Sequence, residues 1–315
     1  IYMFNEGKFD SIITEYKKQF IQSQWLKEKF KWEAVKCFQD NWDISTDNFT
    51  EMLINSLAKT GNLLSSKNNF PKDTIINLSK LYPNEVRKMF IELFDENKNI
   101  YERISTFKEN SEALFKKPQK IGNSHYQTEN AITIYLWLKY PDKYYIYKFS
   151  DVVAVSNELE SNYIFKRGEF TNNIENFFDF YDEICSKLQS DTELKSMLNS
   201  VITDTCYSDP KLKTLTIDVG FFISRYYANK NNFANISKLN YWLLTADPQK
   251  FSLANASIGE IIDYSLRNSN GNKRRIFQNF LNAKEGDIVF GYEFAPTQKI
   301  VAILEVSAEQ DDKNI

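Results

Sequence analysis

Histidine occurs once in this chain, at position 125, and cysteine three times, at 37, 185 and 206. One imidazole excludes a metal centre built on several histidines, and a Ser/His/Asp triad would have to use His125. No C-x-x-C pair exists, so neither a zinc ribbon nor a disulfide framework is supported, and three scattered thiols read as a reducing, cytoplasmic setting. Glycine is scarce, with 9 residues in 315, which argues against glycine-rich phosphate loops and against an all-β chain turning tightly many times. The only Gly-Lys pair, Gly7-Lys8, is followed by Phe9. The chain therefore has no Walker A loop and is not by itself a P-loop NTPase. The G-x-G-x-x-G, G-x-S-x-G and H-E-x-x-H patterns are missing too. No apolar run reaches the ~18 residues that a membrane-spanning helix needs. Ile1–Glu6 does not read as a signal peptide, and Met3 reads as the natural start. Neither sign of charge dominates: 39 Lys+Arg face 42 Asp+Glu, a net charge of −3. That excludes a generally basic nucleic-acid binder and leaves room for a local patch.

What the chain has is apolar bulk and aromatic rings. Hydrophobic residues make up 42%, and 25 Phe and 18 Tyr supply most of an aromatic share of 15%, enough for real cores without staples. At ~150 residues per domain, the length suggests two domains or three. Apolar spacing of three and four runs from Phe9 to Phe38, with a break near Gln22–Gln24. Asp47 reads as the N-cap of a helix that carries Phe49, Met52, Leu53 and Leu57 and closes on Gly61. Pro71 and Pro83 each open a helix, and another covers about Ile100–Phe115. The polar stretch 117–124 marks a boundary.

Beyond it, 128–138 predicts a buried helix, Tyr144–Tyr147 a strand, and 150–160, 173–188, 190–203 and 215–227 further helices. An Asn-rich stretch at 229–238 is a second boundary. After it come candidate strands at Tyr241–Leu244, Ile261–Leu266, Gly286–Tyr292 and Lys299–Val306, with a short helix at Lys273–Leu281. The expectation is an α+β protein: helical domain 1–117, central helical or α+β region 118–238, and a mixed-sheet module 239–315.

Chemistry is sparse. Glu15-Tyr16-Lys17 and Glu193-Leu194-Lys195 fit the Asp/Glu-x-Lys tripeptide of a metal-dependent nuclease, but both fall in helical stretches of a chain that is 26% charged. A solvated helix face is the plainer reading. His125 reads as a capping or hydrogen-bonding residue. Trp25, Trp32, Trp42 and Trp137 read as core. The one basic cluster, Lys273-Arg274-Arg275, stands at a helix start, where the macrodipole favours acids. It makes sense facing phosphates and equally as a solvated turn.

From 239 on, the chain resembles the EVE family, a PUA-like fold shared with YTH readers. The resemblance rests on Tyr241-Trp242-Leu243-Leu244, Asp247-Pro248, Gly271–Phe280, Lys284–Tyr292 and Ile300–Val306. Phe251 stands where the family variant carries a Trp, and the family's final strands do not follow. Residues 25–147 resemble the amino-terminal region of McrB-like restriction proteins, in which an EVE module precedes an AAA+ motor. The carrying stretches are Phe30–Gln39, Phe70-Pro71, Pro83–Phe90 and Tyr135–Tyr145.

The resemblance implies a DNA-targeting region that takes a flipped-out modified base into a pocket at the end of a PUA-like barrel, here cut at its carboxyl end. It implies no cofactor in this chain, with GTP or ATP and Mg belonging to a motor elsewhere. It also implies a nuclease subunit as partner and oligomerisation through that motor. By motif position Trp242, Phe251 and Tyr292 are candidate pocket walls. Asp247 and the Thr245-Ala246 backbone are candidates to read the base edge, and Lys273, Arg274 and Arg275 to meet phosphates. Trp242 could instead pack beneath the sheet. The alternatives are a metal-dependent nuclease near Asp142 or Glu193, and a protein-interaction scaffold.

Overall fold

The computed structural model describes residues 3–65, 69–117, 124–227, 241–256, 262, 282–283 and 287–306. The chain divides into two compact units, 1–230 and 231–315. The first is helical and the second carries a mixed sheet, so the protein is α+β.

In the first unit, α1 (Glu6–Gln19) runs through a π-helical turn, Phe20–Gln24, into α2 (Trp25–Glu28) and α3 (Phe30–Asn41). The π turn falls where the apolar spacing breaks. Next come α4 (Phe49–Ser56), α5 (Gly61–Leu64), α6 (Pro71–Leu81), α7 (Pro83–Leu93) and α8 (Ile100–Phe115). Pro71 and Pro83 occupy the first helical position, where the missing N–H costs nothing and φ is already set. Two caps differ from expectation. Asn48, not Asp47, caps α4 by accepting the Glu51 N–H at 3.2 Å. Gly61 opens α5 instead of closing α4, which ends at Ser56.

The unit continues with α9 (Glu129–Lys139), α10 (Phe149–Glu158), α11 (Phe170–Gln189), α12 (Thr192–Val201) and α13 (Lys213–Phe222), which passes into a second π turn, Ile223–Tyr227. Every residue of α9 from Ala131 to Leu138 is buried, which makes it the central helix. One core cluster runs from Phe4 to Ile223 and takes in Trp25, Trp32 and Trp137, with Trp42 packed against it.

The strand expected at Tyr144–Tyr147 does not form. The segment has no regular secondary structure, its four side chains are buried, and no strand among the described residues pairs with it. Side chains satisfy its backbone instead: the Tyr147 N–H donates to Thr133 Oγ1 at 3.0 Å, and Asn130 Nδ2 donates to the Tyr147 carbonyl at 3.0 Å. Tyr145 and Tyr147 pack edge-on against Phe177 of α11, so β-prone rings here fill a helical core.

In the second unit, β1 (Tyr241–Ala246), β2 (Ile288–Glu293) and β3 (Lys299–Glu305) form one sheet in the order β1-β2-β3. β1 and β2 are parallel and β2 and β3 antiparallel, with a bulge at Gly291/Tyr292. Strand alternation sorts the side chains. Leu244 and Ala246 turn to an inner face, where they meet Leu253 from a 3₁₀ turn (Leu253–Asn255), with Val289, Ala302 and Leu304 packed against them. Gly291 allows this packing. A Cβ there would lie 2.8 Å from Leu253 Cδ1 and 3.3 Å from Ala302 Cβ. Of the strand expected at 261–266, Ile262 alone is described. The rest of that stretch, and the whole helix expected at 273–281, lie outside the described residues.

Candidate functional site

The carboxyl ends of β1 and β2 carry most of the residues singled out by motif. Thr245 and Tyr292 are register partners across the parallel pair, and both lie on the outer face. Ala246 is buried and pairs with Glu293, and the Phe294 N–H donates to the Ala246 carbonyl at 3.0 Å. Asp247 then turns the chain. Its carbonyl accepts the N–H groups of Lys250 (3.0 Å) and Phe251 (2.9 Å), and its Oδ1 accepts the Gln249 N–H at 3.1 Å. Phe251 leaves this turn 41% exposed. Asp247 and Phe251 are thus held together by the turn, next to the strand end that carries Thr245 and Tyr292.

Trp242 lies on the other face of the sheet from Thr245 and Tyr292. It sits three residues before Thr245, so alternation puts its ring on the opposite, inner face, where it is half-buried. Its indole Nε1 donates to Asp287 Oδ2 at 2.7 Å. Asp287 is itself buried, at 3% exposure. Whatever Trp242 contacts, it offers a ring face and not its N–H. Lys273, Arg274 and Arg275 lie outside the described residues.

Two carboxylates escaped the motif reading. Asp287 anchors Trp242. Glu293 points inward at 2% exposure, and its Oε1 accepts the Ser252 hydroxyl at 2.7 Å and the Ala254 N–H at 3.1 Å. The Ser252 hydroxyl, then the Ala254 amide, hold the Glu293 carboxyl below the ordinary carboxylate range. A signal was available for Glu293. An acid on the inner side of an apolar strand needs partners, because an unpaired buried charge is costly.

In the helical unit the chemistry-bearing residues serve structure. His125 Nδ1 accepts the Gln127 N–H at 3.0 Å, and its Nε2 lies 3.1 Å from Glu112 Oε2. Both ring nitrogens are thus engaged, and burial lowers its pKa, which favours the neutral ring. The groove beside it is lined by Tyr101, Lys108, Glu112, Lys116 and Glu129. Its lysines are paired, Lys108 with Glu129 at 2.6 Å and Lys116 with Glu112 at 2.9 Å. Glu193 is likewise paired, to Lys17 at 2.8 Å, and Asp142 accepts the Tyr207 hydroxyl at 2.7 Å. Both Glu-x-Lys tripeptides lie on helices, α1 and α12. Among the described residues no group of three His, Cys, Asp or Glu side chains is arranged to hold a metal ion, and no helix is long and apolar enough to cross a membrane.

Comparison with family models, curated proteins and solved structures finds no match to this chain.

Proposed function

We propose that the second unit is a nucleic-acid-reading module, of the EVE or PUA-like kind, in an McrB-like modification-dependent restriction protein. It would take a modified base at the end of its sheet, with motor and nuclease lying outside these residues. The observation that carries the reading is that Thr245 and Tyr292 are register partners near the carboxyl ends of a parallel strand pair, with Asp247 and Phe251 in the turn that follows β1. A base extruded from a duplex loses a few kcal/mol of stacking and pairing. Aromatic rings return ~1–3 kcal/mol per stacked base, and Phe251 and Tyr292 would supply them. The Asp247 carboxylate and the Thr245 hydroxyl supply polar contacts for the base edge. A methyl group adds only ~1 kcal/mol by burial, so the fit of the pocket must supply most of the discrimination. Lys273, Arg274 and Arg275 would neutralise phosphates and add salt-dependent, sequence-independent affinity.

The test is a binding isotherm at two salt concentrations. The duplex is offered plain or with 5-methylcytosine, 5-hydroxymethylcytosine or N6-methyladenine. Several-fold tighter binding to one modified form is the expected result. Equal binding to all four forms, or none at low salt, would sink the proposal.

One observation favours a second reading, a protein-docking role. The outer face of the sheet exposes Tyr241, Leu243, Ile300 and Ile303 at 67, 63, 55 and 71%, and large apolar side chains grouped on one exposed face mark interaction sites. Concentration-dependent self-association, abolished by Leu243→Lys with Ile303→Lys, would support that role.

A further inference from the structure

The loop bearing Asp247 and Phe251 is closed on a single residue at both ends. At its start, Ala246 pairs with Glu293 across the parallel strands. At its finish, the Glu293 carboxylate accepts the Ser252 hydroxyl and the Ala254 N–H. Leu253, between those two donors, is 1% exposed and lies against Gly291, two residues before Glu293 on the same inner face. The interactions thus form a ring: strand end, Asp247 turn, Phe251, 3₁₀ turn, and back to the strand through one carboxylate. Charge-assisted bonds are shorter and stronger than neutral ones, and an anion also suits the exposed N–H groups that open a 3₁₀ turn.

We infer that Glu293 is the positioning residue of the 247–255 loop, setting where Asp247 and Phe251 stand without touching the ligand itself. This rests on the reading of that loop as the base site. Removing the carboxylate would leave the strands paired but free the loop's far end, so discrimination between bases would fall more than overall affinity.

The full chain would be compared as wild type, Glu293→Ala, Glu293→Gln and Ser252→Ala. Two readouts are needed: hydrogen–deuterium exchange across 247–256, and affinity for the duplex that wild type prefers against its plain counterpart. In Glu293→Ala the Leu253 and Ala254 amides should exchange about tenfold faster or more, as expected for loss of a charge-assisted bond. The preference for the modified duplex should fall by a similar factor, while plain-duplex affinity changes little. Glu293→Gln, which can still accept from both donors, should restore part of each. Ser252→Ala removes one bond without touching the strand, and decides the matter if Glu293→Ala unfolds the sheet.

Unchanged exchange at 252–255 in both Glu293→Ala and Ser252→Ala would overturn the inference. So would faster exchange with an unaltered preference. If wild type shows no preference among duplexes, the base-reading proposal fails, and the exchange data still decide whether Glu293 holds the loop.

Discussion

Gly220 shows two effects in opposition. It lies within α13, where Ala would favour the helix by about 1 kcal/mol. A Cβ there would sit 2.5 Å from the Tyr181 hydroxyl and 3.1 Å from its ring, and Tyr181 is buried in the core. Overpacking costs about 1–3 kcal/mol, so Gly220→Ala should lower the urea midpoint in spite of its better helix propensity. Asp209 is a second such site. Its carboxylate is buried and accepts the N–H groups of Thr214 (3.1 Å) and Leu215 (2.8 Å), at the start of α13, and Trp32 Nε1 at 3.3 Å. Burial pushes its carboxyl up to about 7, against the pull of these three donors.

The folded state therefore keeps a proton that the unfolded chain gives up near pH 4. Stability from that proton is fully present below the unfolded value and is lost as pH rises through about 7. Urea midpoints should accordingly fall between about pH 4.5 and 7.5 by less in Asp209→Asn than in wild type. An identical slope would show that Asp209 does not titrate in this window.

Among the elements, α1, the first π turn, α2, α3 and α13 meet at one buried charge. Asp218 of α13 accepts the Tyr16 hydroxyl (2.5 Å), Gln24 Nε2 (3.1 Å) and Lys31 Nζ (2.6 Å), and Lys31 also bonds Glu28. The Lys31 side chain is wholly buried. Such a network contributes little net stability over an apolar core, but breaking it leaves an uncompensated charge inside. Lys31→Met should cost about 3–5 kcal/mol in chemical denaturation, and adding Asp218→Asn should recover part of that loss. Strict additivity of the two changes would argue against the pairing. None of this was legible in sequence. Lys31 reads as an ordinary charged position among Phe30, Trp32 and Ala34, and its partner is 187 residues away. The helices themselves were legible, because apolar spacing and a proline at a first turn act locally.

For the two units together, separate cores imply separable folding. The helical unit has one continuous core from Phe4 to Ile223. Residues 1–230 expressed alone should therefore unfold cooperatively at the midpoint that this part shows in the full chain, read by circular dichroism. A broad, non-cooperative transition would show that the second unit is required. The same fragment should lack the salt-dependent DNA binding proposed for the second unit. In the full chain, changing Lys273, Arg274 or Arg275 to Ala should weaken binding to every duplex alike. The salt slope should flatten by about one unit for each phosphate no longer neutralised.

By itself the sequence determined the class of the protein: helices by period and proline, late strands by their β-prone runs, and the absence of a Walker loop by the lack of its residues. Through the family resemblance it also pointed to Trp242, Thr245, Ala246, Asp247, Phe251 and Tyr292 as a set. Only the tertiary structure decided that Trp242 faces away from Thr245 and Tyr292, that the Tyr144–Tyr147 rings enter a helical core without forming a strand, and that Glu293 closes the 247–255 loop. Each of these depends on which distant donors and apolar faces meet a segment. Local propensity carries no information about partners tens or hundreds of residues away.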